Sequence, residues 1–156
     1  MTTIAFIGFG EAGGLLVRGL KDTGADVTAA YDILIESNEK ASAIRDKAAA
    51  HGIAAAASAK DAVAGADVII SAVVSSETVK AAGSAAPHLR PGQIYMDMNS
   101  SSPAIKREAA ALIEESGASF VESAVMDLVP PHGHKVPMLL AGKKAAELVA
   151  ILSAFG

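Results

Sequence analysis

Three glycines near the start of the chain, Gly8, Gly10 and Gly13, stand in the spacing G-x-G-x-x-G. An apolar run, Thr3 to Ile7, precedes them and an amphipathic stretch opening at Glu11 follows. Residues without side chains in that setting leave main-chain N–H groups bare, which suits reception of a diphosphate. Gly8 allows a tight turn off a strand, Gly10 lets a pyrophosphate approach the backbone, and Gly13 lets helix and strand pack closely. The first turn of the following helix adds its unpaired N–H groups and the positive end of its dipole. Asp32 stands at the end of the next apolar run, close to the ~20-residue separation at which an acid takes the ribose of a dinucleotide. Its carboxylate repels a 2′-phosphate, and no arginine follows in Ile33-Leu34-Ile35, so NAD is expected over NADP. Glu11 suits a helix start electrostatically, and its backbone N–H rather than its side chain is expected to serve the phosphates.

Elements must hold these residues in place, and strand and helix signals alternate along the whole chain. Strands are expected at Thr3 to Ile7, Asp26 to Tyr31, Ile53 to Ala56, Asp67 to Val73, Gln93 to Asp97, Ser119 to Val125 and Met138 to Ala141. Helices are expected at Glu11 to Thr23, Glu36 to Ala50, Ser58 to Val63, Ser76 to Leu89, Pro103 to Gly117 and Lys143 to Phe155. Glu36 and Lys40 are spaced to pair at i, i+4, while Ser58 and Ser102 are N-cap residues. Short connections between alternating elements demand a mostly parallel sheet covered on both faces. With the glycine turn at the first crossover, the fold class is α/β, a doubly wound Rossmann sheet in the order 3-2-1-4-5-6. Ligands then sit where the order reverses, between the ends of the first and fourth strands.

The 156 residues fit one domain, assigned to 1–156. Hydrophobic residues make up 51% and aromatics only 4%, so the core is built from Ala, Val, Ile and Leu, as in helix-covered parallel sheets. A net charge of −4 with no basic cluster gives no support for nucleic acid or an anionic membrane as partner. The absence of cysteine excludes disulfides and zinc–thiolate sites. Without a secretory leader pattern or a long apolar run, the expected location is the cytoplasm.

A second landmark follows the fifth strand: Asp97-Met98-Asn99-Ser100-Ser101-Ser102-Pro103. Together with Gly8 to Gly13 and the segment from Phe120 to Gly142, it resembles the β-hydroxyacid dehydrogenase family, which includes 3-hydroxyisobutyrate and 6-phosphogluconate dehydrogenases. The resemblance covers the chain as the N-terminal cofactor domain of such an enzyme. It implies that Phe9, Gly10, Glu11 and Ala12 line the pyrophosphate loop and that Asp32 takes the ribose. It sets Val73, Val74 and Thr78 beside the cofactor and Ser100 near the nicotinamide. Asn99 stands where the family has Ser and keeps its hydrogen-bonding capacity toward substrate. The resemblance also implies a helical C-terminal domain, absent from this chain, that carries a catalytic lysine and a homodimer interface. Lys135, Lys143 and Lys144 lack that lysine's context, so no catalytic residue is assigned. The isolated chain is expected to bind NAD without turnover.

The substrate loop departs from the family. Where Asp-Ala-Pro-Val-Ser-Gly-Gly is usual, this chain has Glu122-Ser123-Ala124-Val125-Met126-Asp127-Leu128. Met126 cannot donate as Ser does, and Asp127 repels a carboxylate. A less anionic, bulkier or cationic small molecule fits these two residues better than an ordinary hydroxyacid. His132 and His134 near Asp127 are read as a solvated loop after Pro130-Pro131, with no metal expected. Likewise His51 and His88 are read as solvated helix ends, and Asp97 as a residue orienting the turn after its strand. Two other classes stay open at this point: a non-catalytic NAD-sensing or interaction module, and a Rossmann-fold methyltransferase.

Overall fold

The computed structural model describes residues 1–156. Seven strands form one sheet in the order β3-β2-β1-β4-β5-β6-β7. They are β1 (Thr3–Ile7), β2 (Asp26–Tyr31), β3 (Ala54–Ala55), β4 (Val68–Ser71), β5 (Ile94–Asp97), β6 (Ser119–Val125) and β7 (Met138–Ala141). All pairs are parallel except β6 with β7, which is antiparallel. The expected order therefore holds, and β7 extends it at the edge. The helices are α1 (Glu11–Asp22), α2 (Ala41–Ala50), α3 (Ala59–Val63), α4 (Thr78–Ala85), α5 (Pro103–Glu115), α6 (Val129–His132) and α7 (Ala145–Ser153). Helices α3, α4 and α5 pack side by side, while α1 is covered by α6 and the turn at Gly133–Lys135.

The central strands read as unbroken apolar runs because both of their faces are covered: β4 is Val-Ile-Ile-Ser and every residue is buried. Alanines at 62, 81, 82, 85 and 109 are buried against the sheet or between helices, where small side chains permit close approach. Ser58 caps α3 by accepting from Asp61 N–H at 3.2 Å, and Ser102 caps α5 by accepting from Ile105 N–H at 3.4 Å with Pro103 at the first helical position.

Several expected boundaries move. Residues 33–36 form a tight 3-10 turn and α2 begins only at Ala41. Glu36 is held back by the Tyr31 hydroxyl, which donates to it at 2.6 Å, so the expected Glu36–Lys40 pair does not form. Burial and that carboxylate push the Tyr31 phenol up to about 12. Strand β4 stops at Ser71, two residues short of expectation: Ala72 N–H still bonds the Ile7 carbonyl at 2.8 Å, but Val73 N–H leaves the ladder for Asn99 Oδ1. The helix expected over 76–89 is 78–85 with a 3-10 turn at either end, the second containing Pro87. Likewise the last helix is 145–153 rather than 143–155. The loop expected after Pro130-Pro131 packs in short turns against α1, with His132 exposed as expected and His134 half-buried, its Nε2 3.0 Å from the Phe155 carbonyl.

Gln93 joins the sheet to the α3 side of the core. It is 2% exposed, its amide nitrogen donates to the carbonyls of Val63 (2.9 Å) and Ala66 (2.7 Å), and its oxygen accepts from Arg90 N–H (2.8 Å). Replacing Gln93 with leucine strands these backbone groups. The expected cost is about 2–3 kcal/mol of unfolding free energy, read from urea denaturation with an unchanged slope.

Candidate functional site

Where the strand order reverses, the carboxyl ends of β1 and β4 diverge and open a crevice of about 790 Å³. That volume suits a cofactor-sized ligand. One wall is the glycine turn and Asp32 with Ile33 and Leu34; the other is Ala72 to Ser75 with Asn99 and Ser100.

The three glycines differ in what surrounds them. Gly8 has φ +95°, and a Cβ there would lie 2.2 Å from the Ala72 carbonyl oxygen. A Cβ on Gly13 would lie 2.6 Å from the Gly8 carbonyl oxygen, so helix α1 meets the strand end with no room for a methyl. Gly10 differs from both: nothing lies within 4 Å of its Cβ position, which faces open space. Its bareness serves no contact within the protein. The N–H groups of Gly10, Glu11, Ala12 and Gly13 have no acceptor in the protein, whereas Phe9 N–H donates to Asp32 Oδ2 at 2.9 Å. Three of these residues, Gly10, Glu11 and Ala12, line the crevice, and free donors at a helix start there fit an anionic diphosphate.

Asp32 both begins a turn and faces the crevice. Its Oδ1 accepts from Leu34 N–H at 2.9 Å, so each carboxylate oxygen has one main-chain donor and keeps a further lone pair for a ligand hydroxyl. The expected residues are not all equally placed. Gly8, Gly10, Glu11, Ala12, Asp32, Val73, Val74, Asn99 and Ser100 line the crevice. Phe9 is 1% exposed and turns its ring inward, beside His51, whose ring lies edge-on at 6.1 Å. His51 is therefore half-buried rather than solvated. Thr78 is 1% exposed, and its hydroxyl bonds the Ser75 carbonyl (2.9 Å) and the Ser101 hydroxyl (2.7 Å). It braces the wall from inside.

Asn99 is also committed to the wall. It is 4% exposed, its Oδ1 accepts from Val73 N–H at 2.7 Å, and its Nδ2 donates to the Ser71 hydroxyl at 3.0 Å. That amide ties the end of β4 to the turn after β5. Ser100, exposed beside it, is the hydroxyl that faces the crevice. Met126 and Asp127 lie on the exposed rim beyond Val125, and the Asp127 carboxylate pairs with His132 Nε2 at 3.0 Å. The Leu128 N–H, then His132, hold the Asp127 carboxyl below the usual carboxylate range. His132 and His134 diverge to different partners and share no metal-ligand geometry with Asp127.

Two lysines that spacing did not single out govern this region. Lys106 is buried on α5 and donates to the Asp97 carbonyl and to Asp97 Oδ1, both at 3.1 Å. Asp97 in turn accepts from Asn99 N–H at 2.8 Å, which bears out its reading as an orienter of the turn. Burial pushes the Asp97 carboxyl up, against the opposing pull of the Asn99 N–H and Lys106. The sequence carries a signal for this pair: Lys106, Ala109 and Ile113 recur at i, i+3, i+7 on the buried stripe of α5, where a lysine needs an acid. The second is Lys47, whose ammonium donates to the carbonyls of Phe9 (2.7 Å) and Gly10 (2.8 Å).

A doubly wound sheet with a bare glycine cradle and a strand-end acid at its switch point defines a dinucleotide-binding domain. The chain belongs to the family of the NAD binding domain of 6-phosphogluconate dehydrogenase, whose pattern it matches over residues 3–127. Membership in an NAD(P)-binding family overturns the methyltransferase alternative. A probable 3-hydroxyisobutyrate dehydrogenase of Mycobacterium tuberculosis (strain ATCC 25618 / H37Rv) is 32% identical over 126 residues, 80% of this chain and 40% of that protein. An NAD-dependent L-serine dehydrogenase of Pseudomonas aeruginosa is 30% identical over 129 residues, 80% of this chain and 41% of that protein. Among solved structures, a conserved hypothetical protein from Sinorhizobium meliloti 1021 superposes with a TM-score of 0.95 at 44% identity, covering 100% of this chain and 52% of its own. The chain thus spans less than half the length of these two curated relatives and about half of that structure. No helix is long and apolar enough to cross a membrane.

Proposed function

We propose that this domain is the cofactor half of an NAD-dependent dehydrogenase or reductase acting on a small hydroxyacid-like, carbonyl or imine substrate. The observation that carries the reading is Gly10, whose missing side chain faces open space beside the free N–H groups of residues 10–12, all of which line the crevice. Those donors would hold the diphosphate, the spare lone pairs of Asp32 the adenine ribose, and the exposed Ile33 and Leu34 one face of the purine. When bound, the nicotinamide supplies a hydride acceptor or donor. Val73, Val74 and Ser100 would position its ring from the opposite wall.

A general acid–base is needed at the substrate carbonyl or imine, and this role is assigned to a lysine of a helical domain beyond these residues, together with the homodimer contact. The chain alone is then expected to bind NADH and to turn over no hydroxyacid. At the substrate side, Asp127 on the rim disfavours a bare carboxylate and favours a neutral or cationic group near Met126.

Asp32 decides between the coenzymes, because its charge meets the 2′-phosphate of NADP directly. Fluorescence titration is expected to give NADH at least about tenfold tighter binding than NADPH. Asp32→Asn removes the repulsion and narrows that ratio to within about threefold. Equal affinities in the unaltered chain would refute the assignment of NAD, and failure to bind either would refute the cofactor reading itself.

A further inference from the structure

Lys47 occupies an electrostatically costly position. Its ammonium lies beside the first turn of α1, where the helix dipole is positive and repels a cation. No carboxylate lies within ion-pair distance of it. Burial lowers its pKa, with Asp32 and Glu11 acting in the other direction. The chain nonetheless makes room for it. A Cβ on Gly14 would lie 2.6 Å from Lys47 Nζ and 2.7 Å from its Cε, so Gly14, inside a helix where glycine is a poor choice, leaves the passage through which the lysine reaches the loop. The ring of Phe9 supports the ammonium from a further side, with its centroid 4.4 Å away.

The two carbonyls that Lys47 grips fix the direction of the two amides that follow them. In a planar trans peptide the C=O and the next N–H point oppositely. With both carbonyls turned to Nζ, the N–H groups of Gly10 and Glu11 point away from the lysine; the Gly10 carbonyl also accepts from Gly14 N–H at 2.9 Å, so the Gly10 amide is the one whose direction rests on Lys47 alone. Both of those N–H groups lack a protein acceptor, and both residues line the crevice. Position, polarity and the Gly14 gap thus converge on one role.

We propose that Lys47 is a positioning residue of the diphosphate site, acting from behind the glycine turn to aim the Gly10 amide, to support with Gly14 N–H the direction of the Glu11 amide, and to place a positive charge beneath the phosphates. The proposal rests on the dinucleotide reading given above and extends it to a residue on another helix. It assigns Gly14 as well, as the gap that admits the lysine. Binding an anion in front of the turn relieves the unfavourable placement of this cation, so its contribution appears on binding rather than on folding.

The test uses the full chain, with ADP, adenosine and NADH as probes in calorimetry and fluorescence. Lys47→Met keeps an unbranched side chain of similar reach without the charge. It is expected to weaken ADP and NADH by about tenfold or more and to leave adenosine, which has no phosphate, unchanged. Gly14→Ala displaces the flexible end of Lys47 rather than backbone. It is expected to weaken ADP similarly with no loss of thermal stability, and to add nothing in the Lys47→Met background. If Lys47→Met fails to fold, the Gly14→Ala comparison of ADP with adenosine carries the test alone. ADP affinity unchanged by either substitution, equal losses for ADP and adenosine, or fully additive losses in the double variant would each overturn the proposal. An unaltered chain that binds neither ADP nor NADH would instead overturn the cofactor reading, and this proposal with it.

Discussion

Gly10→Val is expected to abolish NADH binding, weakening it at least about a hundredfold, while the fold survives. The Gly10 backbone, at φ −71° and ψ −157°, is extended and outside the left-handed region that favours glycine, and no atom lies within 4 Å of the new Cβ. The two added methyls therefore occupy only the space in front of the bare amides. Thermal unfolding should move by no more than a few degrees, since about 1 kcal/mol shifts a domain of this size by roughly 2–4 °C. Gly8 supplies the contrast. With φ +95° and the Ala72 carbonyl 2.2 Å from its Cβ position, any side chain there strikes backbone, so loss of binding would only report loss of structure. NADH affinity within about threefold of the unaltered chain in Gly10→Val would put the diphosphate elsewhere.

The largest stability effect is expected from Lys106→Met. The lysine and Asp97 side chains are 7% and 1% exposed, and removing the cation leaves a buried carboxylate with no counter-charge. The expected loss is about 3–5 kcal/mol at neutral pH, a large part of the total stability of a domain this size. Its pH dependence has a definite sign. Burial raises the folded-state pKa of Asp97, so this carboxyl contributes most favourably below the ordinary carboxylate range of about 4, and its contribution declines as pH rises through the raised folded value. Without Lys106 that value rises further. The destabilisation by Lys106→Met should therefore be smaller at acid pH, near the ordinary carboxylate range, than at neutral pH, as read from urea unfolding at both. Asp97→Asn combined with Lys106→Met should recover most of the loss, because no unpaired charge remains. Equal losses at both pH values would mean that the lysine matters only as packed methylenes.

The pair also links stability to the site. Asp97 holds Asn99 N–H, and Asn99 holds Val73 N–H and the Ser71 hydroxyl, so a chain of buried bonds runs from α5 to the crevice wall. The family resemblance implied a substrate contact for Asn99. Both of its amide atoms are instead bound to β4 and the turn after it, and the exposed hydroxyl is that of Ser100.

What the amino-acid order alone determined is what depends on near neighbours. The alternation of apolar strands with amphipathic helices, the capping serines and the glycine spacing are local patterns, and from them the sheet order through six strands followed. The roles of Gly8 and Gly13 were legible for the same reason, since strand, turn and helix are contiguous there. Short elements were less legible. Glu36 left α2 for the Tyr31 hydroxyl, a competition between two local bonds that propensity does not rank. The tertiary structure alone decided the partners of the long cations. Lys47 reaches carbonyls 38 and 37 residues back in the chain, and only the packing of α2 beside α1 brings them together. The pairing of Lys106 with Asp97 likewise requires α5 to return over the end of β5. Hydrophobic periodicity fixes which face of a helix is buried, but the reach of a flexible charged side chain is settled only once that face has a neighbour.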